Sequence, residues 1–147
     1  MPHVGLDQEV RAPIQRVWET VLDVEDYPSS MENVRWVQVR DRFGAERRRT
    51  AWSIVLKGSI LEWEEEEAID HESHVMSFHQ LTGDLSVFEG HWSLSEAKPG
   101  LTTVTFEVEF EIGVPLLAEM LNPVAKRSLH ENCGEMLRGV ERQAVGT

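Results

Sequence analysis

The chain has 147 residues, of which 41% are hydrophobic and 27% are charged, a composition typical of one globular domain. Its 26 acidic and 14 basic residues give a formal net charge of -12, which disfavours nucleic acid and anionic membranes as partners. The single cysteine, Cys133, excludes an intrachain disulfide and a cysteine metal cluster. No apolar run is long enough for stable membrane insertion and Met1 to Val10 do not resemble a signal peptide, so the sequence predicts a cytoplasmic protein.

The N-terminal part predicts one strand followed by two short helices. Val4 to Val10 form the predicted strand, and Pro13 occupies a position that favours the start of a helix. Apolar residues then recur at helical spacing, namely Ile14, Val17, Trp18, Val21 and Leu22. Tyr27-Pro28 interrupts this helix, and a second short helix is predicted to end near Asn33.

From Val34 to Val114 the chain predicts a meander of six long strands. Turn signals recur at regular intervals, at Phe43-Gly44, Lys57 to Ser59, Asp70 to Ser73, Thr82 to Asp84 and Lys98 to Gly100. In the last strand, apolar residues alternate with threonine and glutamate between Val104 and Ile112. This alternation indicates one buried face and one solvated face.

Pro115 opens a long final helix whose apolar stripe extends from Leu116 to Val140, with Pro123 as a potential kink or break. Strongly curved strands cannot fill their concave face alone, so this helix must cover it and leave a cavity suited to a ligand. The sequence therefore predicts an α+β protein in a single domain, residues 1–147. Its curved antiparallel sheet of six to seven strands wraps around the C-terminal helix, and a hydrophobic small molecule binds between them.

Local motifs distributed along the chain point to a known family. They are Ala12-Pro13 with Val17-Trp18, Asp26-Tyr27-Pro28, Leu61-Glu62-Trp63 with the acidic run after it, Gly83-Asp84, and Glu89-Gly90-His91-Trp92. Together with the order of elements, over about residues 4–142, they resemble the polyketide cyclase/dehydrase group of START-related and birch-pollen-allergen-like helix-grip proteins. That group includes the coenzyme Q-binding START-domain proteins. The resemblance implies a helix-grip fold and two main functions, a polyketide cyclase/dehydratase or a non-catalytic quinone or lipid carrier. A third function found among relatives, a protein-interaction module for ribosome association, is disfavoured by the acidic composition.

The candidate catalytic residues follow from strand alternation. If Trp63 faces the covered side of the sheet, then Glu65 and Glu67 share that face, where burial and mutual repulsion raise a carboxyl pKa. Such a group serves as a general acid or base. The alternative is that the whole run, Glu64 to Glu67, is a solvated strand edge. His79 is a weaker candidate, either a pocket acid/base or a histidine on the outer face or in the core.

On the strand that carries Glu65 and Glu67, this chain differs from the aromatase-cyclases that it resembles. Aromatase-cyclases that resemble this strand carry an arginine and a small polar residue where Glu67 and Glu65 stand here. The standard aromatase mechanism is therefore not implied for this chain. An acyl carrier protein is a further candidate partner under the enzyme hypothesis.

The predicted ligand-binding residues combine an aromatic wall with two polar groups on the long helix. They are Trp52, Trp63, Phe88, Trp92, Phe106, Phe110, Ser128 and Asn132. The run Arg47 to Arg49 is interpreted as a solvated edge, with anion binding or docking of a carrier protein as the alternative. His71 and His74 are too few for a metal site, and no phosphate loop, dinucleotide fingerprint or nucleophile elbow is present, so neither metal nor cofactor is predicted. Several buried ionisable groups converging in the cavity favour an enzyme, whereas an all-apolar cavity favours a carrier.

Overall fold

The computed structural model describes residues 3–56, 59–112 and 115–145, with side chains described throughout except at 56, 59, 112, 115–126, 128 and 129. Its elements in chain order are β1 (His3–Val10), α1 (Ile14–Leu22), a 3₁₀ helix (Val24–Ser29), β2 (Val34–Arg42), β3 (Arg47–Leu56), β4 (Ser59–Asp70), β5 (Val75–Gly83), β6 (Leu85–Lys98), β7 (Leu101–Ile112) and α2 (Pro115–Val145). No described helix combines the length and the apolar character needed to cross a membrane.

The strands form one antiparallel sheet in the order β1-β7-β6-β5-β4-β3-β2. Consecutive strands from β2 to β7 pair as hairpins, and β1 crosses to pair with β7. The sheet curves around α2, which contacts β1, β7 and β3 as well as α1. The predicted helix-grip architecture is therefore confirmed.

The second N-terminal helix lies earlier in the chain than predicted. The first helix ends at Leu22, and a 3₁₀ helix at Val24–Ser29 contains Tyr27 and Pro28, where the sequence predicted a break before a second helix ending near Asn33. Pro28 lies inside the 3₁₀ helix, and a proline cannot donate the backbone hydrogen bond that an extended α-helix requires there. The chain then turns at Ser30 and Met31 and enters β2 at Val34.

The predicted turns fall where the described strands reverse. Gly44 and Gly100 occupy the β2–β3 and β6–β7 turns with φ of 77° and 81°, a left-handed conformation that glycine adopts without strain. Lys57 and Gly58, predicted as the β3–β4 turn, lie outside the described residues.

The core lies between the concave face of the sheet and α2. On β7, Val104, Phe106, Val108 and Phe110 are all buried, as their alternation predicts. The second half of α2 contributes buried residues at Cys133, Leu137, Val140 and Ala144. The helix is continuous from Pro115 to Val145, so Pro123 does not divide it, and the side chains of the predicted stripe from Leu116 to Leu129 lie outside those described.

Candidate functional site

Two tryptophans form the floor of a cavity on the concave face of the sheet. Trp52 on β3 and Trp63 on β4 are direct cross-strand partners. Their rings are nearly parallel, with centroids 5.8 Å apart and an interplanar angle of 3°. Each indole N–H is already committed, since Trp52 Nε1 donates to Thr50 Oγ1 at 2.8 Å and Trp63 Nε1 donates to Glu65 Oε1 at 2.7 Å. The pair thus presents rings, and no free donor, to the cavity.

The cavity lies between this pair and α2. Its described lining consists of Trp52, Ile54, Trp63, Glu65, Phe78, Phe88, Trp92, Phe106, Asn132, Cys133 and Met136. Its volume is about 30 Å³, far below the roughly 300–1,000 Å³ of pockets that hold drug-sized ligands. Ligand binding here therefore requires wall side chains to move.

Glu65 is the ionisable carboxyl in this lining and is 3% exposed. Burial raises the pKa of Glu65 well above its usual range, and the negative charge of Glu67 and a hydrogen bond with it raise the pKa further. The Trp63 hydrogen bond and the positive charge of Arg48 oppose this shift more weakly. This shift favours the protonated, neutral form of the Glu65 carboxyl.

Glu67 is fully buried next to Glu65 on the same strand face, where two groups stabilise its negative charge. Arg48 Nε donates to Glu67 Oε1 at 2.6 Å, and Thr50 Oγ1 donates to Glu67 Oε2 at 3.0 Å. Arg48 also donates from Nη1 to the carbonyl oxygen of Leu22, at 2.8 Å, where α1 ends. Three buried ionisable side chains, Arg48, Glu67 and Glu65, thus form one network that ends at the cavity.

Arg48 and Thr50 are functional candidates that sequence reasoning missed. The run Arg47 to Arg49 was expected to be a solvated edge, but Arg48 is only 4% exposed. Every second residue of a strand shares a face, so Trp52, Thr50 and Arg48 point the same way. The alternation of side chains along β3, counted back from Trp52, is the sequence signal that identifies Thr50 and Arg48.

His79 does not join this site, which corrects its inclusion among the pocket acid/base candidates. Met76 and Phe78 on β5 are buried, so Ser77 and His79 lie on the opposite, exposed face. There His79 is the cross-strand neighbour of Glu66 and Glu89. Phe78, which was not predicted, takes the position in the cavity lining instead.

The remaining predicted ligand-binding residues divide between the cavity and its surroundings. Phe88, Trp92 and Phe106 line the cavity together with Trp52 and Trp63. Phe110 is buried beside Phe88 in the same apolar layer, but it is not part of the cavity lining.

The helix contributes polar and apolar groups to the same cavity. Asn132 lines it and donates from Nδ2 to the carbonyl oxygen of Val55 at 3.0 Å, which anchors α2 to β3. The side chain of Ser128 lies outside those described. Cys133 and Met136 complete this wall, and burial raises the pKa of the Cys133 thiol to about 12. Among the described residues, no group of three or more histidine, cysteine, aspartate or glutamate side chains is arranged to hold a metal ion.

Several solved structures share this architecture. The protein TTHA0849 from Thermus thermophilus is 28% identical, with a TM-score of 0.91 over 98% of this chain and 97% of that one. The Zhui aromatase/cyclase from a Streptomyces species is 21% identical, with a TM-score of 0.81 over 98% and 96% of the two chains. A START superfamily protein from Mycobacterium smegmatis is 16% identical, with a TM-score of 0.85 over 98% and 97%. The last two likenesses show the fold alone.

Sequence comparison identifies the family directly. No curated protein matches the chain significantly. The family model described as polyketide cyclase / dehydrase and lipid transport matches residues 10–136. Because this match covers most of the chain, the protein belongs to the polyketide cyclase/dehydrase and lipid transport family.

Proposed function

We propose that this protein binds a hydrophobic small molecule between its sheet and α2 and acts on it as a polyketide cyclase/dehydratase, with Glu65 as the acid/base. One observation carries the proposal, the buried Glu65 carboxyl at an aromatic cavity, next to the buried Arg48–Glu67 pair. A carrier needs shape and few polar groups, whereas a buried carboxyl at the cavity, next to two further buried ionisable groups, suits proton transfer. The family match and the fold shared with an aromatase/cyclase support the same choice.

The proposed chemistry is the loss of water from a β-hydroxy ketone. The Glu65 carboxyl gives its proton to the hydroxyl oxygen, the carbon–oxygen bond breaks, and water leaves. The Glu65 carboxylate then takes the proton from the carbon next to the ketone, and that electron pair forms the new double bond. The carboxyl returns to its starting state without an oxidant, reductant or cofactor. The raised pKa of Glu65, caused by burial, favours the protonated form that gives this proton.

The aromatic walls would hold the chain in a reactive shape. Trp63 and Phe88 lie with ring centroids 4.9 Å apart, and Trp92 and Phe106 with centroids 4.6 Å apart. Because the cavity is small, Met136 is the wall residue best suited to move, since its unbranched thioether side chain adapts to irregular space. In the enzyme hypothesis we expect an acyl carrier protein to deliver the substrate as a thioester.

A non-catalytic quinone or lipid carrier is the second candidate. The observation that favours it is the lining itself, in which Glu65 and Asn132 are the polar members among the described residues. In a carrier, Glu65 would donate a hydrogen bond to a ligand carbonyl without proton transfer to carbon.

One assay distinguishes the two candidates. The purified protein is incubated with β-hydroxy ketones carrying one, two or three aromatic rings, and formation of the conjugated enone is followed by absorbance. We expect turnover that Glu65→Gln lowers by about a hundredfold or more, a typical contribution of general acid–base catalysis. Glu66→Gln, on the outer face of the same strand, is the matched control and should retain activity. Binding without turnover in the wild type would support the carrier and overturn the enzyme.

A further inference from the structure

The buried network at the cavity offers a ligand no uncompensated positive charge. The Arg48 guanidinium and the Glu67 carboxylate compensate each other across 2.6 Å, with side chains 5% and 0% exposed. Glu65, the member that reaches the cavity, is buried, and burial favours its neutral form. An anionic group that a ligand brings into this space therefore meets no excess positive charge.

Arg48 is not free to act as the counter-ion of a ligand. Its Nε is bound to Glu67, its Nη1 to the Leu22 carbonyl, and its Nη2 lies 3.5 Å from the sulfur of Met76. Arg48 is not among the residues that line the cavity, and none of the described lining residues is basic. A ligand carboxylate would thus lie closer to Glu65 and Glu67 than to a free cation.

The aromatic lining adds to this effect. The face of an aromatic ring carries the negative part of its quadrupole, so ring faces disfavour anions. The indole N–H groups of Trp52 and Trp63, which would attract an anion, already donate to Thr50 and Glu65.

We infer that the cavity selects neutral ligands that present a carbonyl or hydroxyl oxygen and rejects carboxylates, free fatty acids included. This inference rests on the proposed ligand-binding function and names the class of molecule that the site takes. A ketone, quinone or thioester accepts a hydrogen bond from Glu65 without changing the charge of the network. A carboxylate adds a second buried negative charge that the Arg48–Glu67 pair cannot compensate.

The test compares matched probes by calorimetry near neutral pH. Each pair shares one aromatic skeleton, with a methyl ketone in one probe and a carboxylate in the other: acetophenone with benzoate, and acetylnaphthalene with naphthoate. We expect the ketone of each pair to bind about tenfold more tightly or better, since an unpaired buried charge is costly. Equal or tighter binding of the carboxylates would overturn the inference while leaving the proposed ligand site intact. Binding of neither probe in any pair would overturn the site and the inference with it.

Three substitutions on β4 sharpen the test. Glu67→Gln removes the partner of Arg48, and the freed positive charge should raise carboxylate affinity and narrow or reverse the ketone preference. Glu65→Gln keeps a neutral side chain of the same size and should retain that preference. Glu66→Gln removes one negative charge on the outer face, beside Arg47, and should leave both affinities unchanged. An unchanged probe preference in folded Glu67→Gln would contradict the charge argument. If Glu67→Gln does not fold, the ketone and carboxylate affinities of the wild-type protein still test the inference.

Discussion

Arg48 and Glu67 face each other across β3 and β4, and their Nε and Oε1 atoms lie 2.6 Å apart in the interior of the protein. Bringing these charges out of water costs several kcal/mol per ion, so their attraction must be supported by further hydrogen bonds. Thr50 supplies one to Glu67, and the Leu22 carbonyl accepts one from Arg48. The pair therefore ties the end of α1 to the strand that carries Glu65.

Removing one member of this pair should destabilise the fold strongly. Arg48→Met leaves the Glu67 charge buried without a partner, and we expect a loss of about 3–5 kcal/mol in the free energy of unfolding, measured with urea. Arg47→Met is the matched control, because Arg47 pairs with Glu66 at 3.4 Å and is 59% exposed, and it should cost less than about 1 kcal/mol. A double variant, Arg48→Met with Glu67→Leu, should recover part of the loss. Equal effects of Arg48→Met and Arg47→Met would contradict the buried pair.

The stability of the protein should depend on pH through Glu65. Its raised pKa means that the folded protein keeps a proton that the unfolded chain releases above its ordinary pKa of 4.5. The stabilisation from this proton is complete below that pH and declines as pH rises toward the folded-state pKa. The free energy of unfolding of the wild type should therefore fall with rising pH more steeply than that of Glu65→Gln. Parallel pH profiles for these two proteins would show that Glu65 is ionised in the fold. Glu66→Gln serves as the control for the loss of one carboxyl.

Phe110 should be a principal contributor to the core. It is 2% exposed, so Phe110→Ala removes buried apolar area and leaves a cavity, and we expect a cost of about 3–5 kcal/mol. Phe43→Ala makes the same chemical change at a side chain that is 53% exposed, and it should change stability by less than about 0.5 kcal/mol. Denaturation curves that place both variants within about 1 kcal/mol of the wild type would remove Phe110 from the core.

Cys133 should be inert in the folded protein. Burial raises the pKa of its thiol to about 12, which lowers the reactive thiolate fraction at pH 8 on the order of a thousandfold relative to an exposed cysteine. An aromatic disulfide reagent should therefore label the native protein far more slowly than the urea-unfolded chain. Equal labelling rates in the two states would place Cys133 at the surface.

Strand alternation accounts for most of what the sequence predicted about the site. Counting from Trp63 puts Glu65 and Glu67 on its face, and both are buried there. The irregularity between Glu64 and Glu65 in the pairing with β5 leaves Leu81 as the extra residue, so the phase of β4 is preserved.

The part that could not be predicted depends on pairing between strands. A buried arginine is improbable without a partner, and the partner of Arg48 is Glu67, which belongs to the next strand. Arg48 and Glu67 are cross-strand neighbours because the β3–β4 register also aligns Trp52 with Trp63. A single sequence gives little information about the register between two strands. The position of His79 depends on the phase of β5, which places Met76 and Phe78 on the concave face and His79 on the opposite face.

The tryptophan-lined cavity has an optical consequence. Of the five tryptophans in the chain, Trp52, Trp63 and Trp92 line the cavity, so much of the intrinsic ultraviolet emission of the protein originates at its wall. A molecule that enters contacts three emitters at once and alters their surroundings together. Intrinsic tryptophan fluorescence should therefore report ligand binding, and candidate ligands can be screened by this fluorescence without attaching a dye.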